Sequence, residues 1–222
     1  MADDGDFENG VAPYILGGNE QKTDTDCGKI AMWAWAASKV MDYAESLSVL
    51  DHTKAYVIGH SRLGKTALLT CACDKRFSMA ISNDSGCSGA AITRGKQGEE
   101  IAVIVERFPY WFCKKYQKYA GKHDQLPFDQ HWLVAACSPA RVCIGSAEED
   151  LWADPQAEFL SCVLAGNYYA HFGMDAFQKV CAFPEINDVV KGNKICYHVR
   201  SGCHYLSRSD WKVYMAYAKD GE

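Results

Sequence analysis

Several functional classes leave no mark on this sequence. It has no lysine- and arginine-rich stripe, and its formal net charge of −5 disfavours a polyanion, so no nucleic acid is expected as partner. Nowhere do about 18 uncharged apolar residues run together, and the acidic opening MADDGDFENG holds no apolar run of signal-peptide length. Neither a membrane partner nor a leader is therefore read in the chain as given. No Cys-x-x-Cys pair occurs, which removes the usual zinc and dithiol signatures, and no metal or other cofactor is expected. The 11 cysteines are scattered singly. Even Cys71 and Cys73 point in different directions on an expected helix, and most cysteines read as small core residues. Internal repeats and low-complexity linkers are missing too, leaving one domain over residues 1–222 with an irregular lead-in over 1–23.

What is present suits a folded domain: 48% hydrophobic and 23% charged residues in 222, enough for a sizeable core. Ile30, Trp33, Ala34, Ala37, Val40, Met41 and Ala44 fall at helical spacing within 28–46, behind the cap-competent Thr25 and Asp26. The apolar run 55–58 reads as a buried strand, followed by a sharp turn over 59–64 and a helix over 65–72. A strand over 78–82 leads into the small-residue loop NDSGCSGAA. Residues 99–119 read as helical and aromatic on one side, with a break at Pro109. A helix over 129–137, a strand over 141–145, a helix over 155–165, a strand over 195–200 and a final helix from Ser209 follow. Strands alternating with helices imply an α/β fold, a parallel sheet flanked by helices, with a site at the carboxyl ends of the strands. Those ends carry His60 and Ser61, Asp84, the run Glu148-Glu149-Asp150 and, past the last strand, His204.

The stretch AYVIGHSRLGKTALLT, residues 55–70, fits two incompatible motifs. Gly59, Gly64, Lys65 and Thr66 match the phosphate-cradling G-x-x-x-x-G-K-[ST], in which Lys65 would reach terminal phosphates and Thr66 would hold magnesium. The same residues read as a nucleophile elbow, with Ser61 on a strand-to-helix turn whose helix N-terminus faces a developing oxyanion. The glycine usual at the fifth position of that motif is Leu63, with Gly64 one place later. Only the elbow reading gives His204 a role, in the chain order serine, acid, histidine.

GHSRLGKTAL, NDSGCSGAA, FPYWFC, FDQH, SAEEDLWADPQAEFL and YHVRSGCH…DW, in this order, resemble the glucuronoyl esterases, from about Phe7 to the C-terminus. The resemblance implies an α/β-hydrolase that cleaves esters of 4-O-methyl-glucuronic acid between xylan and lignin. It places Ser61 as nucleophile, His204 as general base and Arg62 as the oxyanion-stabilising arginine, with Lys65, Glu99 and Trp152 contacting the uronate. The triad acid is Asp84 or Asp150; both are present, and the later strand end, the fold's ordinary acid position, favours Asp150. His60 reads as a turn residue pointing away from the site, and His131 and His198 as hydrogen-bonded structural histidines. Trp33 and Trp111 read as core or wall. Hydrolysis of an acetyl or short-chain ester, nucleotide binding by a P-loop, and an inactive remnant are the alternatives.

Only four strands are legible, fewer than the resemblance implies, so the chain is expected to be the C-terminal portion of a longer enzyme, weakly active or inactive alone. The Ser61 strand then presents an unpaired apolar edge able to self-associate. An exported location, secreted or periplasmic, is implied by the resemblance alone.

Overall fold

Residues 5–18, 23–177 and 182–220 are described by a computed structural model, so residues 1–4 and 19–22 of the expected lead-in, and Cys181, lie outside the described residues. In chain order the elements are α1 (Ala12–Ile15), α2 (Lys29–Ala44), β1 (Tyr56–His60), α3 (Arg62–Cys73), β2 (Met79–Asn83), α4 (Ile101–Arg107), α5 (His131–Ala136), β3 (Arg141–Ala147), α6 (Pro155–His171), β4 (Val189–Lys191), β5 (Ile195–Arg200) and α7 (Arg208–Lys219). The strands form one sheet in the order β1-β2-β3-β5-β4. All neighbours pair in parallel except β4, which runs antiparallel to β5.

Helices cover both faces of the sheet, and the strand sequences divide accordingly with a period of two. Ala80, Val142, Ile144, Ile195, Tyr197 and Val199 turn to one side and pack with residues of α3, α5 and α6, such as Leu68, Val134 and Phe159. Met79, Ile81, Cys143 and Cys196 turn to the other, against Tyr214 and Tyr217 of α7. A strand buried on both faces cannot show a polar face, which explains the near-continuous apolar runs that marked these strands. Helix starts are chemically defined. Ser207 and Asp210 form a reciprocal capping box at α7, and Asp154 accepts from the Ala157 N–H at 3.1 Å ahead of Pro155 at α6. Such caps contribute about 1 kcal/mol each.

Three expectations are revised. The helix expected over 99–119, with its break at Pro109, divides into α4 and a 3₁₀ helix over Lys114–Tyr119; between them Phe108 stacks on Trp111 at 3.9 Å, and Trp33, Ile104 and Leu126 close around the pair. Val40, expected in the core, is 68% exposed. It borders an apolar groove of about 490 Å³ lined also by Met41, Tyr56, Val57, Ile58 and Leu63, alongside the edge of β1 that is unpaired among the described residues. Finally, β4 and α1 were not expected; each is too short for a period to show. Among the ten described cysteines all are free thiols, and six are buried.

Candidate active site

The link between β1 and α3 is a single residue. β1 ends at His60 and α3 begins at Arg62, so Ser61 alone makes the turn, with φ 56° and ψ −126°. That leaves no loop long enough to wrap a phosphate, and the P-loop reading is set aside on geometry. A non-glycine residue in this region costs about 1–3 kcal/mol and persists only where its surroundings impose it. Here they do. The Ser61 N–H donates to the Asn83 carbonyl at 2.8 Å, and the Ser61 carbonyl accepts from the Gly64 N–H at 2.9 Å. A Cβ on Gly59 would lie 1.9 Å from the Leu63 carbonyl oxygen, and one on Gly64 would lie 2.9 Å from Ser82 Oγ, so both glycines are required by close approach. The Ser61 side chain makes no cap bond to its own helix, and the positive end of α3 begins beside it.

Arg62 is exposed on the first turn of α3, its guanidinium carbon 5.9 Å from the ring centroids of both Trp33 and Trp111. Those two tryptophans are buried. Lys65, one turn on, is buried and donates to the Cys87 carbonyl at 2.6 Å and to the Ser85 carbonyl. Burial pushes its pKa down, opposed mainly by Glu99. It also lines a cavity of about 400 Å³ walled by Trp111, Phe112, Tyr116 and Phe128. Glu99 is buried beside Trp152, with its N–H on the Trp152 carbonyl at 2.9 Å, whereas Trp152 is 46% exposed.

His204 sits on the loop after β5. Its Nδ1–H donates to Asp150 Oδ2 at 2.6 Å, which leaves Nε2 as the basic nitrogen. Asp150 is itself buried and its other oxygen accepts from the Ala153 N–H at 3.2 Å. Asp84 follows β2 with φ 45°; its Oδ1 accepts from the Ala147 N–H at 2.7 Å and its Oδ2 faces Arg200 at 3.4 Å. Burial, with Glu158 and Asp150 nearby, pushes Asp84 up to about 9 against the pull of Arg200. One ligand-type atom each from Asp84, Asp150 and His204 falls within 4.8 Å of the others, a spacing that a cation would also fit. The cationic group facing Asp84 there is the Arg200 guanidinium, and the nearer acid is already spent on His204.

Among the other histidines, the sequence reading of His60 changes. His60 does not point away: its ring centroid lies 4.5 Å from that of His204, which brings the His204 imidazole against the residue that precedes Ser61. Its Nδ1–H donates to Asn83 Oδ1 at 2.8 Å, and Asn83 Nδ2 in turn donates to Tyr214 Oη at 2.9 Å. Half-burial pushes the His60 pKa down. His131 and His198, expected to be hydrogen-bonded, leave Nδ1 and Nε2 respectively without such a partner; His198 Nε2 is 3.5 Å from Asp210. Two charged residues escaped the sequence reading. Arg200 caps the apolar run of β5, and Glu158 lies fully buried in α6, accepting from Ser146 Oγ at 2.6 Å and the Gly86 N–H at 2.8 Å. A lone charge inside an otherwise apolar run was the available signal for both.

The family model for fungal glucuronyl esterases matches residues 20–173. Carbohydrate esterase MZ0003, from an unknown prokaryotic organism, is 47% identical over 191 residues, 86% of this chain and 44% of that protein. The 4-O-methyl-glucuronoyl methylesterase of Hypocrea jecorina is 31% identical over 179 residues, 71% of this chain and 38% of that protein. A solved structure of a promiscuous CE15 esterase from a marine bacterial metagenome matches with a TM-score of 0.88 at 43% identity, covering 97% of this chain and 54% of that one. The chain therefore spans about half the length of the relatives it matches. On the extent of the sequence match, and on a fold shared with a solved relative of that identity, this chain belongs to the glucuronoyl esterase family.

Proposed function

We propose that the chain carries the catalytic residues of a serine esterase acting on esters of glucuronic acid. The observation that carries the reading is the 2.6 Å bond between His204 Nδ1 and Asp150, on an imidazole set beside the strained Ser61 turn. Ser61 Oγ attacks the ester carbonyl carbon as His204 Nε2 takes the hydroxyl proton, and Asp150 holds the tautomer and the imidazolium. The carbon–oxygen bond to the alcohol then breaks, and His204 returns the proton to the leaving oxygen. Water attacks the acyl-enzyme; His204 takes its proton and passes it to Ser61 Oγ as the uronic acid departs. Arg62 and the N-terminus of α3 face the oxyanion. No step needs a metal.

Lys65, Glu99 and Trp152 hold the uronate ring in this reading. The lysine ammonium carries three donors, so its two carbonyl contacts do not exhaust it. The name 4-O-methyl-glucuronoyl methylesterase on a relative supports glucuronate esters of the xylan–lignin kind as substrate, and a polymer of that kind supports an exported location. Among the described residues no helix is long and apolar enough to cross a membrane. The open β1 edge supports self-association of the chain.

Hydrolysis of benzyl glucuronate tests the reading: turnover is expected, weak in this chain alone, and Ser61→Ala that retained the parent's rate would remove Ser61 from the mechanism. A second reading, hydrolysis of acetyl or short-chain esters on the same residues, is favoured by a structural relative described as promiscuous. Preference for simple acetates, unaffected by Lys65→Ala, would select it.

A further inference from the structure

Arg200 ends β5 with its side chain only 3% exposed, a position where a charge is tolerated only if densely partnered. Its partners form a pattern. Nε donates to Asp210 Oδ2 at 2.7 Å. One terminal nitrogen donates to the Ser201 and Cys203 carbonyls at 3.0 and 3.2 Å. The other donates to the Cys203 carbonyl at 3.2 Å and the Tyr205 carbonyl, and reaches Asp84 Oδ2 at 3.4 Å. The main-chain acceptors thus bracket His204 on both sides. Asp210 closes the same loop from its far end, accepting the Ser207 N–H at 2.7 Å and Ser207 Oγ at 2.6 Å where α7 begins.

His204 itself belongs to no helix or strand, and its side chain is 44% exposed. Regular backbone bonding therefore does not fix where its imidazole stands. We propose that Arg200 is a positioning residue for His204, its planar fork holding the carbonyls on either side of the histidine and so setting where the imidazole meets Ser61 and Asp150. The proposal rests on the reading of His204 as general base. The guanidinium suits this task in a way an ammonium does not: it presents five donors in a rigid plane, whereas lysine offers a single point of charge. Asp84 acquires a part in the same device. Its two oxygens brace the end of β3, at Ala147, and the inner face of Arg200, so one acid holds the imidazole directly and the other supports the group that holds its loop.

Arg200→Lys keeps a buried positive charge near Asp210 and removes the fork. Tyr205→Ala removes an exposed ring lying 4.1 Å from the Arg200 guanidinium carbon and leaves the buried ion pair untouched. Both variants, with His204→Ala, are assayed on benzyl glucuronate, and the His204 ring is followed by NMR after histidine ¹⁵N labelling, which reads its tautomer whether or not turnover is measurable. In Arg200→Lys, kcat is expected to fall about 10²-fold, the cost of roughly 1 Å of misplacement, with KM nearly unchanged. The single Nδ1–H tautomer of His204 is expected to give way to an exchanging mixture. Tyr205→Ala should lower kcat about threefold in the same manner, as loss of an exposed cation–π contact does. Activity surviving His204→Ala would overturn the base assignment and this proposal with it. Loss of activity in His204→Ala, beside unchanged kcat and an unchanged tautomer in the other two variants, would overturn the positioning role alone. If Arg200→Lys does not fold, Tyr205→Ala decides by the same signals.

Discussion

β5 delivers the His204 loop from a strand whose every residue is buried, held between β3 and β4. β1 delivers Ser61 from the opposite margin of the sheet, with only Gly59 buried and one pairing partner among the described residues. The base side of the site is closed on itself: His204 rests on Asp150, its loop on Arg200, and Arg200 on Asp210 and Asp84. The nucleophile side holds a strained φ of 56° with β2 on one flank and an apolar groove on the other. A site shared between an enclosed half and an open half has two separate ways to fail. Chemistry is lost by removing a reacting group from either half, whereas geometry is most easily lost from the open one.

The largest effects test whether the two halves meet. Ser61→Ala and His204→Ala should each lower kcat by about 10⁴- to 10⁶-fold on a glucuronate ester, and the double variant should be no worse than either, because the two groups act as a unit. A double variant much slower than both singles would separate the halves chemically and break the proposed triad. Next come the acids. Asp150→Asn, by favouring the wrong histidine tautomer, should lower kcat by about 10⁴-fold, while Asp84→Asn, at an acid that bonds Ala147 and Arg200 where Asp150 bonds the imidazole, should cost roughly tenfold or less. Equal losses would mean that the acids share the role, and a large loss at Asp84 alone would reverse it.

The sequence carried the enclosed core well because its determinants are local. The strand over 195–200 was legible from an apolar run, α2 from the spacing of Ile30, Trp33 and Met41, and the elbow from Gly59 and Ser61. What stayed hidden depends on partners far along the chain. Glu158 finds Gly86 from 72 positions away and Asn83 finds Tyr214 from 131, and no spacing rule reaches that far. The His60 ring was misread for a related reason: strand alternation gives the face on which a side chain stands, but the loop that brings His204 to that face is placed by tertiary packing. Over 99–119 the helical spacing was legible on both sides of Pro109, in α4 and in the 3₁₀ helix over Lys114–Tyr119, whereas the aromatic cluster around Trp111 that joins them is a product of tertiary packing. Val40 kept its helical period correctly; the face it belongs to is simply uncovered among the described residues.

The open half can be probed without touching the chemistry. Val40 and Val57 line the groove beside β1, and an uncharged apolar edge is what invites strand-to-strand association. The parent chain should elute larger than a monomer in size-exclusion chromatography at micromolar concentration, and the pair Val40→Glu with Val57→Lys should shift it toward monomer. A parent that ran as a monomer with full turnover would show the edge to be harmless and remove the weakness assigned to this half. The same variants should leave the His204 tautomer unchanged, because Asp150 and Arg200, not the substituted valines, hydrogen-bond the His204 loop.

The smallest expected effect concerns how the enclosed half responds to pH. Asp84, held near 9 by burial and by its acidic neighbours, keeps a proton in the folded protein that the unfolded chain gives up near its ordinary value of 3.8. The folded state then binds more protons than the unfolded one, so stability falls as pH rises through that window. Glu158, pushed up to about 7 by burial, adds the same sign from 4.5 to that point. His198, pushed down to about 4, adds the opposite sign below 6.5, and His60 does so in the same direction. Between pH 7 and 9 the histidines no longer contribute and Glu158 finishes titrating in parent and variant alike, so comparison with Asp84→Asn isolates the aspartate. The parent should lose about 5–9 °C of Tm relative to the variant across that interval, at about 1.4 kcal/mol per pH unit for one proton and roughly 2–4 °C per kcal/mol in a domain of this size, followed by thermal unfolding in matched buffers. Parallel curves would mean that Asp84 is ionised in the folded protein through its contact with Arg200. That outcome would make the acid beneath the histidine loop a charged partner of the arginine and a nearer rival to Asp150.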